Sequence, residues 1–228
     1  MDKPTSFQTY EDRSDPSTVA ARLGALRTEL TARGLDGFVV PHSDMHQNEY
    51  LPANAERLAW LTSFTGSAGA AVVLAGKAAI FVDGRYTLQV RAQTDTSLFE
   101  PRDLVAEGPQ GWVPDHLPKG GKLGFDPWLT TANGAASLRH AAERAGGTLV
   151  ACESNPLDAV WMDRPAAPSG KAVPPSAWIA LSPSGQSRNI AYSVSPFLVK
   201  RRSAPVNGFC LSSPKAPAGG GFVGPSPY

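Results

Sequence analysis

Residues 57–89 constrain the fold of this 228-residue chain more than any other stretch: R-L-A-W-L-T-S-F-T-G-S-A-G-A-A-V-V-L, then A-G-K, then A-A-I-F-V-D-G-R-Y-T-L-Q. Phe64-Thr65-Gly66-Ser67-Ala68-Gly69 sets two glycines three apart with only small residues between them. No side chain there can fill space, so the segment reads as a turn where backbone passes close to a neighbour. Ala70 to Leu74 is an unbroken apolar run, too short to span a membrane and the right length for a strand covered on both faces. Ala75-Gly76-Lys77 supplies a turn and Ala78 to Val82 returns, which predicts a hairpin. At the Asp83-Gly84-Arg85-Tyr86 corner, Asp83 can accept hydrogen bonds from the turn backbone and Gly84 permits a positive φ. Tyr86 then opens a helix with Leu88 on its inner side. Arg85 reads first as half of a local salt bridge; the alternative is a guanidinium reaching a neighbouring domain or a substrate terminus.

The flanking sequence alternates helix and strand signals. Asp15-Pro16 caps a helix whose Val19, Leu23, Leu26 and Leu30 fall on one face, and Gly34 stops it. Leu35 to Val40 reads as a buried strand ending at Pro41, and Asn54 to Leu61 as a short helix with Leu58 and Leu61 inward. Leu98 and Phe99 suggest a strand before Pro101. Trp112, Val113 and Leu117 make a brief apolar face. Leu123 to Phe125 is a strand stopped by Asp126-Pro127, a helix covers about 131–145, and residues 148–152 form the last strand, with Cys152 as a small core residue. This pattern predicts a layered α/β domain over residues 15–164, its sheet mostly buried between helices and made mixed by the hairpin. Residues 1–14 form an N-terminal arm.

Composition breaks sharply near residue 165. Residues 1–164 hold all 20 Asp and Glu against 15 Lys and Arg, whereas residues 165–228 hold six Lys and Arg and no Asp, Glu or His. Eleven prolines, eleven serines and seven glycines crowd those last 64 residues. Such a segment buries too little apolar surface to offset the entropy of ordering, so a disordered C-terminal tail is expected. Lys200-Arg201-Arg202 is its one basic run, too small to argue for nucleic acid. Two widely spaced cysteines exclude a disulfide scaffold and suit a reducing compartment. No signal peptide and no run of ~18 apolar residues is present, which points to a cytoplasmic protein without membrane association.

Two catalytic signatures fail on inspection. A nucleophile elbow needs Gly-x-Ser-x-Gly, but Thr occupies position 65 ahead of Gly66-Ser67-Ala68-Gly69. No Lys-Ser or Lys-Thr follows the glycines, which excludes a phosphate-binding loop. The segment Pro41-His42-Ser43-Asp44-Met45-His46-Gln47-Asn48-Glu49-Tyr50 is the remaining polar concentration. On an extended chain His42, Asp44 and His46 share a face with Glu49 near, a conceivable divalent-metal set. The competing reading is a loop at the C-terminal end of a strand, its polar groups bonded to backbone, water or a neighbouring domain.

Phe64 to Gly69, spaced as they are from Val82-Asp83-Gly84-Arg85-Tyr86 and Gln89, resemble the first domain of Xaa-Pro aminopeptidases, or aminopeptidase P. The likeness continues through Pro41 to Tyr50, L-G-F-D-P-W-L at 123–129 and N-P-L-D-A-V-W-M-D-R-P at 155–165. It therefore covers roughly the first 165 residues. The resemblance implies the creatinase-type N-terminal fold. It also implies a parent reaction in which two divalent metal ions, typically manganese, activate water to release a residue that precedes proline. Their ligands, two Asp, one His and two Glu, lie in a later pita-bread-shaped domain. This chain is accordingly expected to lack catalytic, cofactor-binding and metal-binding residues and to be inactive alone, as a truncated or frameshifted product. Asp44, His46, Glu49, Tyr50 and Arg85 are expected to face the missing catalytic domain or a partner subunit, possible partners being that domain or a second copy of the chain. A stand-alone binding or dimerisation module, and an independent metal enzyme using residues 42–49, are the alternatives.

Overall fold

A computed structural model describes residues 14–169. Six strands run β1 Gly37–Pro41, β2 Gly69–Leu74, β3 Ala78–Val82, β4 Glu100–Asp103, β5 Lys122–Phe125 and β6 Thr148–Ala151. Six helices accompany them: α1 Val19–Ala32, α2 Arg57–Thr62, α3 Thr87–Gln93, α4 Gly108–His116, α5 Ala132–Arg144 and α6 Pro156–Val160. The strands form one sheet in the order β4-β3-β2-β1-β5-β6. Only β2 runs against its neighbours, pairing antiparallel with β1 and β3; the β1–β5, β5–β6 and β3–β4 pairs are parallel. The sheet is mixed because of the 69–82 hairpin, as its sequence predicts.

Side chains alternate between two cores with the period of the pleat. Phe38, Val40, Ala71, Val73, Ile80 and Val82 face one cluster, filled out by Leu23, Leu26 and Leu30 of α1, Leu58 and Leu61 of α2, Val90 of α3 and Leu157 of α6. Val39, Val72, Leu74, Ala79, Phe81 and Leu123 face the other, closed by Trp112 and Val113 of α4 and by Leu138, Ala141 and Ala142 of α5. The middle strands are therefore covered on both sides, and contiguous apolar runs are what such strands require.

Three local expectations need correction. Leu88 is 83% exposed; α3 packs through Val90 and Gln93, three residues apart, which turns Leu88 to solvent. Gly84 does not use the positive φ open to it, because Asp83 accepts from Arg85 N at 2.9 Å and starts a 3₁₀ turn with ordinary helical handedness. The strand after α3 lies at Glu100–Asp103, beyond Leu98–Phe99, and contains Pro101. It forms a sheet edge, where the missing N–H faces away from the ladder. The expected helix 54–61 is divided into a 3₁₀ turn, Ala53–Ala55, and α2, with Glu56 between them.

Other expectations hold. Asp15 accepts from Ser17 N and leads a 3₁₀ turn into α1, and Gly34 leaves that helix at φ 65°. Cys152 sits just past β6, partly buried against the first core. Residues 165–169 have no regular structure and are exposed. The expectation of a disordered tail concerns residues that, from 170 onward, lie outside the described ones, as does all but the last residue of the 1–14 arm.

Candidate functional site

Because β1, β3, β4, β5 and β6 run the same way, the loops that follow them gather at one edge of the sheet, joined there by the turn that enters β2. The register confirms this placement, with Pro41 opposite Ala70 and Gly69 opposite Val82. The predicted residues thus come from two loops, 42–50 and 83–86, that share this edge.

Pro41 ends β1, and the chain then turns instead of extending. Asp44 organises the turn: Oδ1 accepts from His46 N at 2.9 Å and Asn48 N at 3.1 Å, and Oδ2 accepts from Asn48 Nδ2 at 2.8 Å. Asp44 is only 7% exposed. Burial pushes its carboxyl up, but the hydrogen bonds from Asn48 and His46, with the nearby His46 ring, outweigh that and leave it below the ordinary aspartate range. Ser43 Oγ donates to Leu129 O at 2.7 Å and Gln47 Nε2 to the same oxygen at 3.3 Å, tying this loop to the one after β5. His42 Nε2 lies 3.1 Å from Glu49 O. A carbonyl only accepts, so Nε2 carries the proton. The metal set imagined on an extended strand does not assemble: Asp44 is engaged by the loop's own donors, and no three His, Cys, Asp or Glu among the described residues are grouped to hold a metal ion.

Four of the five candidate contact residues are exposed: His46, Glu49, Tyr50 and Arg85. Arg85 makes the local pair, with Nε at 3.1 Å from both Asp83 oxygens and one terminal nitrogen at 2.6 Å from Oδ2. The hydrogen bonds to Arg85 hold the Asp83 carboxyl below its usual range. Met45, Tyr50 and Trp128 are 63%, 83% and 68% exposed, so the joined loops at this edge present large apolar side chains to solvent.

Between the 42–51 loop, the 65–67 turn and the 86–89 corner lies a cleft of about 330 Å³, lined by His42, Glu49, Glu56, Ser67, Tyr86 and Gln89 among others. The glycine turn makes it concave. The Phe64 ring lies directly beneath Gly66, and a Cβ at Gly69 would come within 3.0 Å of Phe81 O. Ser67 Oγ is 2.9 Å from the Tyr86 hydroxyl and 3.5 Å from Glu49 Oε1. Gln93, buried on α3, accepts from Thr65 N at 3.0 Å and so anchors the turn from below. The sequence reading missed Glu56 and the Thr65–Gln93 bond. Nothing local distinguishes that glutamate, which reaches the cleft only because the chain breaks between a 3₁₀ turn and α2.

Residues 14–169 thus form a three-layer α/β domain with a mixed sheet, a glycine turn entering its hairpin and a polar cleft at the strand ends. The sequence profile of the creatinase/prolidase N-terminal domain matches residues 22–160, and this chain belongs to that family. Its relatives include human Xaa-Pro aminopeptidase 2, 36% identical over 64% of this chain and 22% of that protein. A probable Xaa-Pro aminopeptidase P of Paracoccidioides brasiliensis is 39% identical over 66% of this chain and 25% of that protein. The chain thus spans about a quarter of the length of the curated relatives it matches. Among solved structures, X-prolyl aminopeptidase from Caenorhabditis elegans, described as a cytosolic enzyme with a di-nuclear active site, superposes with a TM-score of 0.59 at 28% identity. That match covers 65% of this chain and 26% of the enzyme. No helix among the described residues is long and apolar enough to cross a membrane.

Proposed function

We propose that this chain is the non-catalytic N-terminal domain of a cytoplasmic Xaa-Pro aminopeptidase, inactive by itself, which presents the loop-bearing edge of its sheet to a catalytic domain. The parent reaction would be metal-dependent release of an N-terminal residue preceding proline, with two divalent ions held outside this domain. One observation carries the reading: identity of 36–39% to named Xaa-Pro aminopeptidases extends over the folded domain and over only 22–25% of their length. The chemistry of the chain agrees. Hard divalent cations need several converging oxygen donors; the described residues group none, and residues 165–228 contain no Asp, Glu or His.

The exposed Met45, Tyr50 and Trp128 favour a protein partner at this edge. In the isolated chain a second copy would be the available partner. Equilibrium dialysis of the purified chain against Mn²⁺ tests the proposal. No stoichiometric metal is expected, and retention of one or two ions per chain would overturn it.

A further inference from the structure

We propose that the open flank of the sheet, the outer side of β6, is a pairing edge for a second copy of this chain, the two β6 strands running antiparallel across a two-fold axis at Val150. The inference concerns the side of the sheet and not its loop-bearing end, and it is independent of the peptidase reading.

The two outer strands of the sheet are built differently. β4 is Glu100-Pro101-Arg102-Asp103, where the proline removes one N–H and Arg102 pairs with Glu100 at 2.6 Å. Proline and charge are the usual means of keeping an edge strand from pairing. β6 is Thr148-Leu149-Val150-Ala151, without charge or proline. Thr148 N donates to Gly121 O at 2.8 Å and Cys152 N to Phe125 O at 2.9 Å, which fixes the side that faces β5. The peptide groups of Leu149 and Ala151 therefore point the other way, where no strand among the described residues lies. Beside this strand the first core is incompletely covered. Val150 and Cys152 are only partly buried against it, and with Leu35 they line a hollow of about 400 Å³.

A second copy fits because the edge is its own complement. With the axis at Val150, Leu149 of each copy stands opposite Ala151 of the other, and such pairs exchange both N–H···O bonds. Val150 then meets Val150, and Thr148 meets Cys152, on the side of the hollow, so the apolar strip of one copy covers that of the other. The same register joins opposite charges. Glu153 falls opposite Gly147 of the second copy, next to Gly146, over which the Lys119 side chain lies with its Cγ 3.3 Å from where a Cβ would stand. Glu153 and Lys119 are both exposed, and neither has an ion pair among the described residues. Moving the axis to Leu149 would need Gly147 N, which already donates to Ala142 O at 2.8 Å. Moving it to Ala151 would set Glu153 against Leu149 and lose Lys119.

Disulfide capture in the full chain carrying Cys152→Ser and Cys210→Ser reads the register. Val150→Cys should form a covalent dimer under diamide, because non-hydrogen-bonded partners sit about 4.5 Å apart at Cα. Leu149→Cys should not, since two residues 149 lie beyond the ~7 Å limit for a disulfide in this pairing. Sedimentation equilibrium in a Tyr50→Ser, Trp128→Ser background, which takes the loop-bearing edge out of the measurement, gives the affinity. Ala151→Pro removes an N–H that the fold itself does not use and should weaken dimerisation by about tenfold or more. Glu153→Lys should also weaken it, and Lys119→Glu added to Glu153→Lys should restore it. That charge exchange, at two exposed positions, supplies the comparison should Ala151→Pro disturb folding. The proposal is overturned if the chain in that background stays monomeric up to millimolar concentration, or if Val150→Cys links no better than Leu149→Cys. It is equally overturned if the charge exchange fails to restore what Glu153→Lys removes.

Discussion

Arg57 on α2 and Asp158 on α6, 101 residues apart in sequence, are joined by two hydrogen bonds: Nε to Oδ1 at 2.7 Å and Nη2 to Oδ2 at 2.8 Å. Arg57 is 7% exposed, and Asp158 also holds Arg164 at 2.7 Å. Trp60 and Trp161 stack beside this pair with ring centroids 5.3 Å apart, and Arg22 lies over Trp60. The last helix of the domain is thereby bound to α2.

Removing one partner leaves the other charge buried. Asp158→Ala should cost about 2–3 kcal/mol, toward the low side for a buried pair because the aspartate side chain is a quarter exposed. The double change Arg57→Met with Asp158→Leu should cost less than Asp158→Ala alone, since the buried Arg57 charge goes with its partner and only the partly exposed Arg164 loses an ion pair. Urea unfolding of the three variants measures both.

Asp44 gives the fold a pH dependence of known sign. Its carboxyl lies below the unfolded value, so folding binds its proton less tightly. The contribution is complete above the unfolded pKa of about 3.9 and is lost as pH falls through the lower folded value. Asp44→Ala should lower stability by about 2 kcal/mol at neutral pH through the lost charge-assisted hydrogen bonds. The gap from the parent should shrink in acid. Thermal unfolding at several pH values checks the trend.

The glycine turn is set by close packing. Phe64 is 1% exposed and meets Tyr86 edge-on at 5.6 Å, so Phe64→Ala should cost about 3–4 kcal/mol. Gly66→Ala places a methyl against the Phe64 ring and should cost about 1–3 kcal/mol. Phe64→Leu added to Gly66→Ala should cost less than the sum of the single changes, a coupling that a double-mutant cycle reads.

Tyr50 and Trp128 carry no comparable share of stability. Replacing either by serine should shift unfolding by no more than about 0.5 kcal/mol. Sedimentation at rising concentration should show weaker self-association in the double variant than in the parent, as expected of side chains that dock rather than hold the core.

The central sheet was legible in the sequence because Phe38 to Val40, Ala70 to Leu74 and Ala78 to Val82 have no polar residue to place on an outer face. The two-sided packing of these strands is what the contiguous apolar runs record. Leu88 and Pro101 misled for opposite reasons. An apolar residue in a two-turn helix does not reveal which side packs, and a proline that would break an inner strand is tolerated on an edge. Asp44, His46 and Glu49 were found as a polar concentration, but whether such side chains serve their own loop or a partner depends on backbone turns that Pro41 only hints at. Arg57–Asp158 and Thr65–Gln93 escaped notice because tertiary contacts pair residues whose local sequence is unremarkable.

The central claim is that these 228 residues hold no peptidase chemistry of their own. The most direct measurement is turnover: the purified chain, loaded with excess Mn²⁺, incubated with an Xaa-Pro peptide and assayed for the freed N-terminal amino acid. Release no faster than in the protein-free control is the predicted result. Release that scales with the chain's concentration and stops when the metal is chelated would contradict the account.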